Sequence, residues 1–352
     1  MARSNEVPAH VFFVAVDGGP REALAPLATH CGAKLAATAG PAAEADAHWV
    51  ERLKSEGAAA LAVGTSDSAR GRRIESAARR AAGSLGLPIV AIEDFPGNYC
   101  DVDGGSAALV VVESEAAKEI CARKLAPRLT VPRIEAAPPV RYDAHRARVE
   151  TLRQRTRSLW TSAGRIPVLW AGQPETEDGL HTLGVLAPHL ASRDIELMFK
   201  AHPRDEGYAA GAYHALLRGV RWSDWTRASM AETLDAAPRL VVTQFSSLAV
   251  EAGFYGIPSL WLLLPDAGAL RLRQKKGYAV PPLCLAGGAV LVTRAEGLGG
   301  VLERALTNVT ERDRLITCFD AYFGGGAPAG GRIATWLGEI ATPSPPGKQS
   351  PK

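Results

Sequence analysis

The sequence predicts an open α/β fold made of two parallel-sheet halves. Three observations predict it. Short β-branched and apolar runs alternate with longer Ala-, Arg- and Glu-rich segments of helical period. The runs fall into two groups on either side of a proline-rich stretch. The 352 residues exceed one ordinary core, and two domains of roughly 150 residues each divide them naturally.

In the first group the expected strands are HVFFVAV (10–16), KLAAT (34–38), AALAV (59–63), PIVAI (88–92) and ALVVV (108–112). A helix is expected over 21–30, and SARGRRIESAARRAAGSL carries another. TVPRIEAAPPVRY then reads as a connector, because each proline keeps its predecessor out of the helical region. A basic helix over 143–160 opens the second group, followed by strands PVLWA (167–171), IELMFKA (195–201), RLVVTQ (239–244), PSLWLLL (258–264) and AVLVT (289–293). The expected domains are 8–140 and 141–325, and the Pro-rich polar tail 342–352 should be disordered.

Composition narrows the function. A formal charge of +3 with no long Lys/Arg run gives no electrostatic footprint for nucleic acid and suits a small or anionic ligand. The cysteines (Cys31, Cys100, Cys121, Cys284, Cys318) are odd in number and widely spaced, which argues against a disulfide framework or zinc knuckle. The first residues lack an apolar signal core, and no run approaches the roughly 20 apolar residues of a membrane helix, so the cytoplasm is the expected compartment. Arg outnumbers Lys 31 to 9, a bias of GC-rich bacterial genomes.

Open parallel sheets bind ligands beyond the carboxyl ends of their strands. FKAHPR stands at such an end. Lys200 and Arg204 supply charge for an anion, and His202, followed by Pro203, supplies a directional donor; the same residues also fit a strand end with merely solvated charges. In TQFSSLAVEAGFYGIP a helix starts near Ser246 and ends at Gly256, where Ser246 or Ser247 caps it and its N-terminus offers an anion site. Glu251, four residues after Ser247, lies on the cap side within reach of a ribose, or it pairs with a surface cation. Gly172 and Gln173 follow the first strand of the second half, where glycine lets backbone approach a ligand. In the first half, AIEDFPGNYCD puts Glu93 and Asp94 at a strand end as a general base and its partner, or as part of a turn. Gly18 and Gly19 shape an acceptor site or turn the chain. The sequence holds no G-x-G-x-x-G, G-x-x-x-x-G-K-[ST], H-E-x-x-H or G-x-S-x-G, so dehydrogenase, P-loop, zincin and serine-hydrolase chemistries lose support.

These motifs, the acidic strand end, KAHPR and TQFSSLAVEAGFYGIP, resemble the GT-B glycosyltransferase superfamily, with two Rossmann-like domains facing a central cleft. The likeness is nearest to bacterial capsule enzymes of the polysialyltransferase-like, octulosonate-transferase and CDP-glycerol glycerophosphotransferase groups. The resemblance assigns His202–Pro203 and Ser246–Ser247 to the nucleotide phosphate and Glu93–Asp94 to the base, with Phe95 where those families have glycine. It also implies a C-terminal helix, 326–341, crossing back to the first domain. The function implied is metal-independent transfer of a sugar or glycerophosphate from a nucleotide sugar or CDP-glycerol, needing no cofactor. The acceptor is a hydroxyl of a surface glycan or glycosylated protein, which goes with peripheral membrane association. The alternatives are a nucleotide-sugar epimerase or hydrolase of the UDP-N-acetylglucosamine 2-epimerase type, whose phosphate loop is similar, and a non-catalytic nucleotide-sugar-binding protein.

Overall fold

The computed structural model describes residues 10–127, 131–162, 164–191, 194–323 and 328–342; the expected disordered tail lies outside these from 343 onward. The chain forms two compact units, Met1–Asp143 with Gly326–Lys352, and Ala144–Gly325.

In chain order the first unit contains β1 (Val11–Val14), α1 (Gly18–His30), a 3-10 turn (Pro41–Glu44), α2 (Asp46–Ser55), β2 (Ala60–Val63), α3 (Ala69–Ser84), β3 (Ile89–Ile92), β4 (Leu109–Val112), α4 (Glu115–Leu125) and β5 (Arg133–Ala136). Then come α5 (Asp143–Arg146), α6 (Val149–Ser162), β6 (Ile166–Ala171), α7 (Thr176–Ala191), β7 (Ile195–Lys200), α8 (Glu206–Ala209), β8 (Trp222–Asp224), α9 (Met230–Asp235) and β9 (Leu240–Thr243). The chain continues with α10 (Ser247–Phe254), β10 (Ser259–Leu262), α11 (Gly268–Lys276), α12 (Pro282–Leu285), β11 (Val290–Val292), α13 (Leu298–Thr307), α14 (Val309–Phe323) and α15 (Ala329–Ala341), the last belonging to the first unit.

The first sheet has the order β1-β2-β3-β4-β5, every pair parallel. β1 to β4 are fully buried, as expected for strands covered by helices on both faces. Segment 34–38 is not a strand. It makes one bridge, Leu35 to Phe13, before Gly40 (φ 84°) and Pro41 turn it away. The proline-rich connector, conversely, contains β5. This is an edge strand that tolerates Pro132 at its start, and Arg133 pairs with Glu135 on one face at 2.8 Å. Polarity hid it.

The second sheet runs β11-β10-β9-β6-β7-β8, again all parallel, so the chain reverses direction between β6 and β9. Three-residue β8 went unforeseen because it is a half-exposed edge. The basic helix expected over 143–160 is two helices, α5 and α6, and the helix expected at 21 starts at Gly18.

α15 buries Ile333, Leu337 and Ala341, spaced by four, in the core formed with Phe13, Leu24 and Leu27. Its N-cap, Pro328, has no side-chain acceptor. Asp143 supplies one from far away in sequence: its two carboxylate oxygens accept the N–H groups of Ala329 (3.0 Å) and Gly330 (3.1 Å). Asp143→Ala is therefore expected to destabilise the first unit by about 1–2 kcal/mol, as loss of a helix cap does, read by urea denaturation and by faster proteolysis at the C-terminal helix.

Candidate functional site

In the second unit the switch point lies between β6 and β9, the place where open α/β sheets take ligands. Register places Ala171 beside both Lys200 and Thr243, so the loops after β6, β7 and β9 emerge together, with neighbouring strands roughly 4.8 Å apart. The Thr243 hydroxyl donates to Ala171 O (2.7 Å) and accepts from Ser246 N (3.2 Å). Gln244 is pulled inward, its amide donating to Asp178 O (3.0 Å) and Thr182 Oγ1 (2.7 Å). Phe245, Ser246 and Ser247 are left partly exposed at the rim. Ser246 is the N-cap of α10, its Oγ accepting from Leu248 N (3.3 Å), so the positive end of that helix faces the switch point. The helix ends at Phe254, two residues before the expected Gly256.

Gly172 donates its N–H to Lys200 O (2.9 Å), and a Cβ there would lie 3.3 Å from Ala201 Cα and His202 N. Glycine there leaves the close approach of the two loops unhindered. Gln173 is 7% exposed, yet its side chain makes no hydrogen bond among the described residues. His202 Nδ1 accepts the Arg204 N–H (3.1 Å), which puts the ring proton on Nε2. Burial, then the Arg204 charge, lowers its pKa, so near neutral pH His202 is an uncharged imidazole whose one ring donor is Nε2–H. Pro203 and Arg204 are exposed, and the Arg204 guanidinium enters no ion pair among the described residues.

Lys200 does not fit the phosphate role. Its ammonium donates to Trp225 O (3.1 Å) and Ala228 O, and burial lowers its pKa, so it braces the loop between β8 and α9. Glu251 is 6% exposed, on the second turn of α10, with Oε2 4.0 Å from His145 Nε2. The His145 pKa is lowered by burial and Arg148, and its ring stacks on Phe254 (17° between planes).

Asp205 was not singled out from the sequence. It holds the β6 and β7 loops in place by accepting from Thr176 Oγ1 (2.6 Å), Gly207 N (3.0 Å) and Tyr213 OH (2.6 Å). The legible signal was an Asp one residue before a short acidic helix, the position of an N-cap.

In the first unit the loops after β1, β2 and β3 carry a second polar cluster. Glu93 and Asp94 part company. Glu93 is 3% exposed: Oε1 accepts from Tyr99 N (2.7 Å), Oε2 makes no hydrogen bond among the described residues, and burial pushes the pKa to about 8. An acceptor hydroxyl cannot reach it, which removes it as the base. Asp94 is only half-buried, and its Oδ1 accepts from Thr65 Oγ1 (2.9 Å) and Asn98 Nδ2 (2.8 Å). Its Oδ2 lies 2.4 Å from where a Gly19 Cβ would be, so Gly19 makes room for the carboxylate at the start of α1, while Gly18 faces open space. Phe95 begins the turn, its O accepting Asn98 N (3.1 Å), and the glycine that the turn requires is Gly97, at φ 79°.

The loops beneath Asp94 are fixed by two carboxylates the sequence reading missed. Asp17 accepts from Asp67 N (3.0 Å), Ser68 N (2.8 Å) and Ser68 Oγ (2.6 Å). Glu75, 4% exposed on α3, accepts from Ser66 N (2.7 Å), Ser66 Oγ (2.6 Å) and Val16 N (3.2 Å), and burial raises its pKa to about 7. Among the described residues no cluster of three or more His, Cys, Asp or Glu could hold a metal ion, and no helix is long and apolar enough to cross a membrane.

No protein-family profile matches the chain, and no curated protein matches it. Solved structures do. MurG of Acinetobacter baumannii aligns over 94% of this chain and 100% of its own, at 13% identity and a TM-score of 0.57. HepE of Anabaena in complex with UDP-glucose aligns over 94% and 98%, at 14% identity and 0.59. The UDP-GlcNAc 2-epimerase of Neisseria meningitidis bound to UDP-GlcNAc aligns over 93% and 99%, at 12% identity and 0.62. The fold is GT-B. Glycosyltransferases and epimerases both occur among these neighbours, so the fold alone does not decide the reaction.

Proposed function

We propose that this GT-B protein transfers a glycosyl group, or glycerophosphate, from a nucleotide-activated donor to a hydroxyl of a surface glycan or glycosylated protein. One observation carries the donor half. At the switch point of the second sheet, a nearly buried Gln173 amide without an internal partner, the His202 Nε2–H and the capped start of α10 stand on three adjacent loops. All are donors suited to phosphoryl oxygens, and the exposed Arg204 adds charge. HepE in complex with UDP-glucose and the wall teichoic acid polymerase TagF with CDPG, at a TM-score of 0.51, support a nucleotide as the donor's handle.

In this reading Asp94 takes the acceptor proton. The acceptor oxygen bonds to the transferred group as the bond to the nucleotide breaks, and the electron pair stays on the leaving phosphate. His202, Gln173, Arg204 and the α10 start stabilise that charge, each preorganised donor being worth roughly 3 kcal/mol. Glu251 serves the ribose, and Gly18 and Gly19 border the acceptor. The reading invokes neither a metal nor a cofactor.

A thermal-shift panel of CMP, CDP, UDP, GDP and dTDP tests it. At least one nucleotide is expected to raise Tm, and His202→Ala to remove the shift; no shift with any nucleotide overturns the donor site. The epimerase neighbours keep a second reading in play, and product analysis with donor alone separates the two. Conversion without acceptor favours the epimerase.

A further inference from the structure

The amino-terminal edge of the second sheet, opposite the strand ends just described, holds arginines that lack counter-ions. The guanidinium carbons of Arg239, just before β9, and Arg312, on α14, each lie 5.0 Å from the centroid of the Trp160 ring at the end of α6. The indole is fixed, its Nε1 donating to Ala237 O (2.9 Å), and Arg239 Nη2 donates to Trp160 O (2.6 Å). Beyond that bond neither guanidinium has a side-chain partner. Arg239 Nε and Arg312 Nε and Nη1 are buried without hydrogen bonds, and neither arginine enters an ion pair among the described residues.

This contrasts with the other arginines nearby. Arg153 forks onto Asp320 (2.8 and 2.7 Å) and Arg271 onto Asp178 (3.0 and 3.4 Å). The neighbouring carboxylates Asp235 and Glu311 are ion-paired to Arg155 (3.0 Å) and Arg314 (2.8 Å). Along the same edge Arg165 and Arg221 share one carboxylate, Asp194, at 3.7 and 3.8 Å. An aromatic face attracts a guanidinium but neutralises nothing. Arg312 accordingly lowers the Arg239 pKa, second to burial, a sign that the two charges act on each other uncompensated.

We propose that Arg239 and Arg312, held against Trp160, form a second anion site on this protein, one that takes a phosphoryl group. Arg239 Nη1 and Arg312 Nη2, the guanidinium nitrogens that are neither bonded nor among the buried atoms, leave N–H donors for the oxygens of a tetrahedral anion, and both side chains are partly exposed. The site is independent of the donor pocket at Gln173, His202 and Ser246.

The test is calorimetric titration of the full chain with inorganic pyrophosphate at low ionic strength, paired with flotation on phosphatidylglycerol against phosphatidylcholine vesicles. The expected result is binding that weakens at least tenfold in Arg239→Gln/Arg312→Gln but persists in Ser246→Ala. An accompanying change in tryptophan fluorescence should be lost in Trp160→Phe. Binding of free pyrophosphate identifies a soluble anion; variant-sensitive binding of phosphatidylglycerol vesicles alone identifies a lipid headgroup, and either supports the site. Should the double variant fail to fold, Arg312→Gln removes a guanidinium that makes no hydrogen bond. Equal binding by wild type and arginine variants, or binding by neither, overturns the proposal.

Discussion

Asp94→Asn is expected to slow transfer by about 10²–10⁴-fold while leaving nucleotide affinity unchanged, the loss typical of removing a general base. Asparagine keeps the size of the side chain and an oxygen to accept from Thr65 Oγ1 and Asn98 Nδ2, so the loop after β3 has no reason to move. What disappears is the carboxylate that lies against Gly19. Gly19→Ala is a geometric companion, because its methyl would meet Oδ2 at 2.4 Å and displace the carboxylate. The pair separates chemistry from position: Asp94→Asn removes the base in place, and Gly19→Ala moves it. The measurement is single-turnover transfer beside nucleotide-induced Tm shift. A normal rate in Asp94→Asn would remove the residue from the mechanism. Loss of both rate and nucleotide shift would instead point to a folding role.

The sheets were legible because their strands are buried on both faces, and burial writes a continuous apolar run such as FFV at Phe12–Val14 or LVV at Leu240–Val242. The polar edges were not legible. β5 carries Arg133 and Glu135, β8 is three half-exposed residues, and the 34–38 run looked like a strand yet pairs only through Leu35. The loops after β6, β7 and β9 could be placed side by side at strand ends because glycine, a His-Pro pair and serines each follow an apolar run. Individual roles were less readable. Lys200 looked like a phosphate ligand, but strand alternation turned it toward carbonyls that only the tertiary fold brings there. Glu93 and Asp94 lie just past the end of β3, where strand alternation no longer fixes side-chain direction, so their different burial was not readable. Asp17 and Glu75 act on partners 50 and 9 residues away, where a single sequence gives no local signal; Asp205 was legible as an N-cap, but its bond to Thr176, 29 residues away, was not.

Glu93→Gln is expected to change how stability responds to pH rather than simply lowering it. The Glu93 carboxyl is enclosed by Tyr99 N–H, Cys121 and Lys124 on α4, and the carboxylates of Asp94 and Glu113. Burial is the largest influence and raises the pKa from 4.5 to about 8, with Asp94 and Glu113 adding to it and the Tyr99 bond and Lys124 opposing. The native state therefore holds a proton that the unfolded chain releases. Stability from this group is fully present below pH 4.5, declines by at most about 1.4 kcal/mol per pH unit above it, and is lost once pH passes about 8. Glutamine cannot ionise, so its difference from wild type should be flat below pH 4.5, widen through the interval, and level off above 8. A loss of a few kcal/mol corresponds to a Tm gap on the order of 10 °C at the alkaline end. Any fixed offset from the unpartnered amide drops out, because the reading is the slope. Thermal melts of both proteins from pH 4 to 9.5 settle it, and parallel curves would mean that Glu93 is ionised in the folded protein throughout.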